Sequence, residues 1–313
     1  MLLHPEIGNR AGDLQQRFES AQPFRHIVVD NFLEETFCRE LIREFPAFDL
    51  KYAVNERGDT GRKSAIPGLA RLGGAYARFD AMIRGREFLA WTSRVTGIPK
   101  LLYDPEYVGG GTHENLSGQD LDSHVDFNYH PSRRWHRRLN LIVFLNPRWE
   151  ESWGGCLELL RDPWTEDAAR PSRLVVPLAN RAVIFETNER SWHGFRRIEL
   201  PPEAADLSRR SIAVYFYTRE RPPAEVAPSH GTFYVQRPLG ERIQPGCTLS
   251  EDDVEDLRVL IARRDSQIKF LYERELEFSS AMAGLIHSPS FRIGHALTWP
   301  LRAARKLLRN TAS

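Results

Sequence analysis

Leu-Asp-Ser-His-Val-Asp-Phe at residues 121–127 places a histidine and an aspartate two positions apart at the edge of a predicted strand. Because side chains alternate across a strand, His124 and Asp126 point to the same face and can bind the same metal ion. With ten histidines and a typical aspartate frequency, roughly 0.5 such His-x-Asp pairs are expected by chance in a chain of this length. The prediction of a metal site therefore depends on the residues that follow.

A third candidate ligand, His193, follows the apolar segment Arg-Ala-Val-Ile-Phe-Glu-Thr at residues 181–187. It lies in Ser-Trp-His-Gly at 191–194, where a predicted strand opens into a loop. Two imidazoles and one carboxylate occupy one face of an octahedral ion and leave three positions for substrate and dioxygen, as in non-heme Fe(II) oxygenases. The mixed nitrogen and oxygen donors favour Fe(II).

The strand predicted at residues 209–215 begins with a cation. With a period of two, the residues on one of its faces are Arg209, Ser211, Ala213 and Tyr215. Arg209 and Ser211 are therefore placed to bind a carboxylate together inside a barrel. A buried guanidinium requires such a partner, because an unpaired buried charge is strongly destabilising.

The composition is that of a folded, enzyme-sized protein of 313 residues, with 41% hydrophobic and 27% charged residues. With 43 Lys and Arg against 42 Asp and Glu, the net charge is only +1, so no nucleic-acid partner is predicted. Cys38, Cys156 and Cys247 have no metal-ligand spacing, which excludes a thiolate zinc site and favours a reducing compartment. The sequence shows no leader and no apolar stretch long enough to span a membrane, and it predicts a cytoplasmic protein.

Apolar periodicity divides the chain into three zones. Residues up to 99 are predicted to be mostly helical, with amphipathic segments at 34–45 and 68–95 after one strand at 26–33. From residue 101 to about 218, short β-rich runs alternate with turn residues, which is typical of a sandwich or barrel. The Gly-Gly-Gly run at 109–111 is predicted to be only a flexible loop, because it lacks the lysine and helix of a phosphate-binding loop.

The third zone begins after residue 221 and contains a long predicted helix, with Ser250 as N-cap and Asp253 completing a capping box. Its apolar residues follow an alternating three-and-four spacing: Val254, Leu257, Ile261, Ile268, Leu271, Phe278, Met282 and Leu285. Arg264 and Glu275 interrupt this row. Because such a row requires a partner, the 254–285 helix either forms a homodimer or packs on the chain's own barrel.

The tail at residues 288–313 contains five Lys and Arg, no acidic residue and interleaved apolar side chains. A basic amphipathic helix of this kind can lie on an anionic membrane surface, which would make the cytoplasmic protein peripheral to a membrane. A soluble helix that frays at its end is the alternative, because leucine and positive charge are both common at helix ends.

The middle zone resembles the 2-oxoglutarate- and Fe(II)-dependent oxygenases, in particular their prolyl 4-hydroxylase-like branch. The resemblance rests on the metal motif, on Arg209-x-Ser211, and on the segments 137–146, Gly154-Gly155 and 175–185. It extends over about residues 101–218. The segment at 23–46 is also similar to the entry into that family's catalytic domain.

The resemblance implies an α+β fold whose catalytic core is a double-stranded β-helix, or jelly roll. We expect an oxygenase domain at residues 1–225, with the jelly-roll core at about 100–220 and flanking helices on its N-terminal side. Residues 226–313 are expected to form a C-terminal helical extension that ends in the basic tail.

The resemblance also implies that His124, Asp126 and His193 ligate Fe(II) and form the catalytic centre. The cosubstrate would be 2-oxoglutarate, which the family converts to succinate and CO2 while it hydroxylates an aliphatic carbon; ascorbate is an optional reductant. Related halogenases lack the carboxylate ligand, so Asp126 favours hydroxylation.

Cosubstrate binding is implied for a second set of residues. Arg209, with Ser211, is expected to bind the distal carboxylate of 2-oxoglutarate in preference to Arg210, which faces the other side of the strand. Tyr103 and Asn140 are further candidates for hydrogen bonds to the cosubstrate.

Two alternatives to an oxygenase remain open at this point. Relatives often carry a tyrosine where this chain has Phe144, which leaves room for an inactive jelly-roll module that binds metal and recruits a partner. A cupin-like metal hydrolase is the second alternative, and it would not need Arg209.

The sequence does not identify the substrate, and the resemblance implies either a prolyl residue in a protein or a small molecule, because the branch contains enzymes of both kinds. The end of the chain is similar to endings of bacterial surface-glycan glycosyltransferases, which adds a glycan pathway to the options. Candidate substrate contacts are Trp192, next to His193, and Arg133 and Arg134 near the predicted barrel mouth. The alternatives are a core position for Trp192 and a solvated loop for the two arginines.

Overall fold

The computed structural model describes residues 2–53, 63–164, 172–237, 239 and 243–298. The chain divides into two compact units, Met1–Pro238 and Leu239–Ser313. The sequence placed a boundary earlier, after residue 225. Strand β12 (Phe233–Val235) explains the difference, because it pairs with a strand of the first unit.

Two antiparallel sheets make up the β structure of the first unit. Among the described residues the larger sheet has seven strands, in the order β1 (His26–Val29), β9 (Ala182–Glu186), β6 (His136–Phe144), β11 (Arg209–Thr218), β4 (Gly111–Asn115) and β2 (Lys63–Ile66), with β3 (Leu102–Tyr103) paired to β11. The smaller sheet has five, in the order β12, β5 (Leu121–Val125), β10 (Trp192–Phe195), β7 (Leu157–Leu160) and β8 (Arg173–Val175).

The two sheets face each other across a shared apolar layer. Phe144 and Phe185 contribute to it from the larger sheet, and Leu157, Leu159 and Val175 contribute from the smaller one. Antiparallel sheets stacked in this way, closed by crossover connections, form a jelly roll. The predicted fold class is confirmed.

Strand β11 has two chemically different faces, and this separates the core from the cavity. Ile212, Val214 and Phe216 are fully buried in the largest apolar cluster, together with helical side chains. The alternate residues of the same strand point between the two sheets, as a period of two requires. One strand thus anchors the helices on one side and supplies polar groups on the other.

In the described part of the chain, five α-helices precede the central strands: α1 (Pro5–Asn9), α2 (Ala11–Ser20), α3 (Glu35–Arg43), α4 (Gly74–Ile83) and α5 (Arg86–Thr96). Phe88 and Trp91 of α5 pack against each other, and the Phe88 ring lies 6.0 Å from that of Phe216. The helical segment predicted at 68–95 is broken in two, because the backbone of Gly85 is extended and begins α5 as its N-cap.

Of the three glycines at 109–111, only Gly111 lies in the sheet, so the prediction of a flexible loop is wrong for that residue, whereas Gly109 and Gly110 precede the strand. Gly111 begins β4 with φ +119°, and a Cβ there would lie 2.0 Å from the carbonyl oxygen of Ile66. Only glycine allows β2 to approach β4 this closely. Gly109 accepts a hydrogen bond from the Tyr215 hydroxyl at 2.9 Å.

The second unit contains α6 (Glu251–His287) and α7 (Pro289–Leu297). The predicted capping box is present: the Ser250 side chain accepts from the Asp253 backbone N–H, and the Asp253 side chain accepts from that of Ser250. No helix in the described part of the chain is both long and apolar enough to cross a membrane. Residues 299–313, most of the predicted basic tail, lie outside the described residues.

Candidate active site

The two candidate metal-binding histidines lie opposite each other on neighbouring strands. His124 on β5 pairs with His193 on β10, and their ring centroids are 4.2 Å apart. Asp126 follows β5 directly, with one carboxylate oxygen 3.8 Å from His124 Nε2 and the other 3.6 Å from His193 Nε2. One donor atom of each residue lies within 4.8 Å of the other two, which is the spacing of ligands around a common ion.

Backbone carbonyls set the tautomer of both histidines. His124 Nδ1 lies 2.9 Å from the carbonyl oxygen of Asp122, and His193 Nδ1 lies 2.9 Å from that of Ser191. Because a carbonyl oxygen only accepts, each Nδ1 carries the proton and each Nε2 keeps its lone pair. Metal-binding histidines are commonly oriented by such a hydrogen bond.

Burial keeps both imidazoles neutral and therefore able to bind metal. Desolvation, reinforced by the neighbouring His193, lowers the pKa of His124 to about 3. Desolvation also lowers the pKa of His193. For Asp126, burial alone would raise the pKa, but the charge of Arg137 and a hydrogen bond from Asn140 hold it well below its usual range. The set thus presents two neutral nitrogens and one carboxylate.

Two neighbours hold the Asp126 carboxylate in place. The Asn140 amide donates to Asp126 Oδ2 at 2.8 Å, and Arg137 Nη2 lies 3.1 Å from the same oxygen. Arg137 also donates to Asn140 Oδ1 from Nε at 3.1 Å and from Nη2 at 2.8 Å. Its guanidinium carbon lies 4.5 Å from the ring centroid of Phe127 and 3.6 Å from that of Tyr215.

The role of Arg137 was not predicted from the sequence. For the nearby Arg133 and Arg134 the sequence offered a substrate contact or a solvated loop, whereas Arg137 is 1% exposed. The signal that identifies it is its position at the start of an apolar strand, where a charge requires a partner. Asn140 lines the cavity as predicted, but its amide is engaged by Asp126 and Arg137.

Arg209 is a buried cation that has no carboxylate partner among the described residues. Its Nε donates to the carbonyl oxygen of Gly155 at 2.6 Å. The guanidinium carbon lies 4.3 Å from the Phe195 ring centroid and 5.1 Å from that of Phe144. Desolvation lowers the pKa of this guanidinium to about 10, which still leaves it protonated at neutral pH.

A cavity of about 170 Å3 connects these groups. Its polar lining includes the three candidate ligands, Asn140, Arg137, Arg209, Ser211 and Tyr215. Arg210 faces the other side of β11 and bonds Glu114. The cavity thus contains a candidate metal site together with the guanidinium of Arg209 and the hydroxyl of Ser211, which can bind an anion.

Tyr103 lies outside this cavity, which corrects the prediction that it binds the cosubstrate. Its register partner on β11 is Phe216, whose side chain faces the helices, and directly paired residues share a face. The Tyr103 hydroxyl therefore donates to Asp80 of α4. The tyrosines that line the cavity are Tyr215 and Tyr234.

The predicted substrate contacts also lie away from the cavity. Trp192 alternates with His193 and so points outward, where its ring packs 4.9 Å from that of Trp164 and 6.2 Å from that of Phe233. Arg133 bonds Glu106 at 2.8 Å in the exposed loop before β6, and Arg134 is exposed in the same loop. None of the three lines the cavity.

Comparison with known proteins identifies the part of the chain that carries this geometry. Residues 111–217 match the family model for the 2OG-Fe(II) oxygenase superfamily. The matched segment is about a third of the chain, and it is similar to that superfamily. The resemblance inferred from the motifs is thereby confirmed, and the cofactors of the oxygenase segment are Fe(II) and 2-oxoglutarate, which its donor set and its unpaired cation fit.

Individual relatives are distant. The chain is 24% identical over 228 residues to mouse prolyl 3-hydroxylase OGFOD1, an alignment that covers 66% of this chain and 35% of that protein. The chain therefore spans about a third of the length of this relative.

Two solved structures are also similar. A Trichoplax adhaerens prolyl hydroxylase in complex with a hypoxia-inducible-factor peptide gives a TM-score of 0.47 at 15% identity, covering 68% of this chain and 90% of that one. HygX from Streptomyces hygroscopicus, with nickel and 2-oxoglutarate bound, gives a TM-score of 0.46 at 15% identity, covering 72% and 96%.

Proposed function

We propose that the chain is a 2-oxoglutarate-dependent Fe(II) dioxygenase that hydroxylates an aliphatic carbon of a prolyl residue or a small molecule. The observation that carries this proposal is Arg209, a buried guanidinium in the same cavity as the candidate metal ligands. A metal hydrolase or a passive metal-binding module has no use for an unpaired cation there. A dicarboxylate cosubstrate supplies the charge that the cation lacks.

Each residue has a role in this proposal. His124, Asp126 and His193 bind Fe(II) on one face, and Arg209 with Ser211 binds the distal carboxylate of 2-oxoglutarate. When bound, Fe(II) and 2-oxoglutarate supply the oxidising chemistry that activates dioxygen for attack on a C–H bond.

The apolar part of the cavity lining limits the access of water. Leu121, Phe127, Ile142, Leu157 and Phe195 line it beside the polar groups. Exclusion of water protects a reactive intermediate from side reactions and strengthens the ion pair expected at Arg209. The protein thus orients the cosubstrate and keeps the site dry.

A prolyl side chain is the first substrate class to test. This choice is supported by the mouse relative, which is named a prolyl 3-hydroxylase. A small molecule of a glycan pathway is the second class. The cavity beside the metal ligands is small, so the part of either substrate that enters it is a single ring or chain end.

Cytoplasmic location is also a proposal, together with peripheral membrane contact through the basic tail. Free thiols support the first part, because all three cysteines are unpaired and Cys247 is exposed. Flotation of the full chain with anionic liposomes tests the second. A chain that ends at residue 287 should stay with the soluble fraction, and equal flotation of both would contradict a membrane role for the tail.

Anaerobic titration of the Fe(II)-loaded chain with 2-oxoglutarate tests the central proposal. We expect a visible metal-to-ligand charge-transfer band, followed by succinate release once dioxygen is admitted. Arg209→Ala should weaken 2-oxoglutarate binding at least roughly tenfold, the loss of a charge-assisted contact, and leave metal binding intact. Arg210→Ala is the matched control, since Arg210 faces away from the cavity.

Two results would contradict the proposal. Metal binding without any effect of 2-oxoglutarate favours the passive module. Unchanged 2-oxoglutarate affinity in the Arg209→Ala variant favours the hydrolase.

A further inference from the structure

Helix α6 carries a row of apolar side chains that is exposed along most of its length. Ile261, Ile268, Leu271, Phe278, Met282 and Leu285 are 40–64% exposed. Val254 and Leu257 continue the row toward the N-terminus. The 37 residues of the helix span about 55 Å, so the row is a long stripe and not a local patch.

The stripe repeats every seven residues, as in a coiled coil. Its first series of positions contains Val254, Ile261, Ile268, Glu275 and Met282. Its second series contains Leu257, Arg264, Leu271, Phe278 and Leu285. Each series thus contains one charged residue, and the two charges have opposite signs.

We propose that α6 pairs with α6 of a second copy of this chain as an antiparallel coiled coil. In an antiparallel pair, each residue of the first series faces one of the second series. With all ten positions in register, the facing pairs are Val254 with Leu285, Leu257 with Met282, Ile261 with Phe278, Arg264 with Glu275, and Ile268 with Leu271. Every position of the stripe then meets either an apolar residue or a residue of opposite charge.

The charges determine the orientation. In a parallel pair, each residue faces its own copy, so Arg264 would meet Arg264 and Glu275 would meet Glu275. Like charges held together in an apolar stripe are strongly unfavourable. In the antiparallel pair, Arg264 meets Glu275 of the second copy twice, by symmetry. The two charges therefore exclude the parallel alternative and fix the register of the antiparallel one.

The same pattern favours a second copy over an unrelated partner. The stripe is complementary to its own reversed sequence at all ten positions, including the two charged ones. A two-fold axis between Ile268 and Leu271 generates the whole set, and such axes are the commonest symmetry of soluble homodimers. An unrelated partner would not require this internal match.

Charge-swap variants of the full chain, examined by sedimentation, test the proposal. The wild-type chain should sediment at twice its 36.1 kDa mass at micromolar concentration. Arg264→Glu and Glu275→Arg should each weaken the dimer at least tenfold, because each places like charges opposite one another. The double variant, Arg264→Glu with Glu275→Arg, should restore the wild-type dissociation constant. Lys269→Glu, outside the stripe, is the matched control and should change nothing.

Cysteine cross-linking tests the orientation independently, in a Cys247→Ser background that removes the exposed native thiol. Leu257→Cys with Met282→Cys should form a disulfide between copies that peptide mapping assigns to positions 257 and 282. These positions are about 37 Å apart along one helix, so the link cannot form within a chain. Leu257→Cys alone should not cross-link.

Three results overturn the proposal. A monomeric wild-type chain excludes the dimer, whatever else covers the stripe. The proposed contact between Arg264 and Glu275 of the second copy is wrong if a single charge reversal leaves the dimer intact. It is also wrong if the double swap fails to restore the dimer. Efficient cross-linking of Leu257→Cys alone shows a parallel pair.

Discussion

Arg137 is buried between two aromatic rings and contacts the carboxylate that completes the metal-ligand set. Its planar guanidinium bonds Asp126 and Asn140 at the same time. A buried arginine in this position holds the Asp126 side chain in one orientation and keeps it ionised. It is a positioning residue, since it acts through Asp126.

Replacement of Arg137 by lysine separates its charge from its shape. Lys keeps the positive charge but cannot bond Asn140 with two N–H groups or stack flat between Phe127 and Tyr215. We expect Arg137→Lys to weaken Fe(II) binding about 10- to 100-fold, the usual effect of losing a residue that orients a metal ligand. Anaerobic metal titration of the purified variant measures it.

Arg133→Lys is the control for this prediction, because Arg133 lies in the exposed loop before β6 and bonds Glu106. It should bind Fe(II) like the wild type. Wild-type affinity in the Arg137→Lys variant would show that Asn140 alone suffices to hold Asp126.

The residues of the site differ in how far sequence could predict them. The period of two placed His124 with Asp126, and Arg209 with Ser211, on the correct faces, because a strand's alternation needs no knowledge of its neighbours. The prediction for Tyr103 was wrong because the face on which its side chain lies depends on the register between β3 and β11, which no local pattern encodes. The burial of Arg137 was not predicted because the arginines at 133–138 include both exposed and buried side chains.

At the level of elements, the long strands were predicted and the short polar ones were not. Strands β6, β9 and β11 each contain an uninterrupted run of four to six apolar residues, so composition alone identifies them. Strand β4 reads Gly-Thr-His-Glu-Asn and β10 reads Trp-His-Gly-Phe. Neither has a marked apolar alternation, and both are strands because β2, β11, β5 and β7 pair with them.

The close approach of β2 to β4 leads to a prediction about Gly111. A Cβ at this position would lie 2.0 Å from the backbone of β2, which cannot move aside without breaking its pairing. We expect Gly111→Ala to lower the free energy of unfolding by about 3 kcal/mol, from the clash and from the strained φ. Chemical denaturation of the wild type and the variant gives this difference.

The matched control is Gly12→Ala in α2, where an added Cβ has no neighbour within 4 Å. It should raise the free energy of unfolding by roughly 0.5–1 kcal/mol, because alanine favours the helix. A Gly111→Ala variant as stable as the wild type would show that β2 does not pack on β4 as described.

At the scale of the whole molecule, the end of the oxygenase unit is set by β12. Tyr234 pairs with His124, and their rings lie 5.1 Å apart. Thr232 and Tyr234 line the cavity, and Phe233 packs on the outward-facing Trp192. The segment between the predicted boundary at 225 and the observed one at 238 therefore packs on both faces of the smaller sheet, and its Tyr234 covers the candidate ligand His124.

Two truncated chains distinguish these boundaries. A chain ending at residue 238 contains every residue that lines the cavity, so it should fold and bind 2-oxoglutarate with unchanged affinity, and it should sediment as a monomer. A chain ending at 225 exposes the edge of β5 and uncovers His124, so it should bind 2-oxoglutarate at least roughly tenfold more weakly. Thermal melting shows whether each chain folds, and titration of the Fe(II)-loaded forms measures binding. Equal affinities would mean that β12 is dispensable and that the site is complete at residue 225, whereas loss of binding by both chains would mean that the second unit contributes to the site.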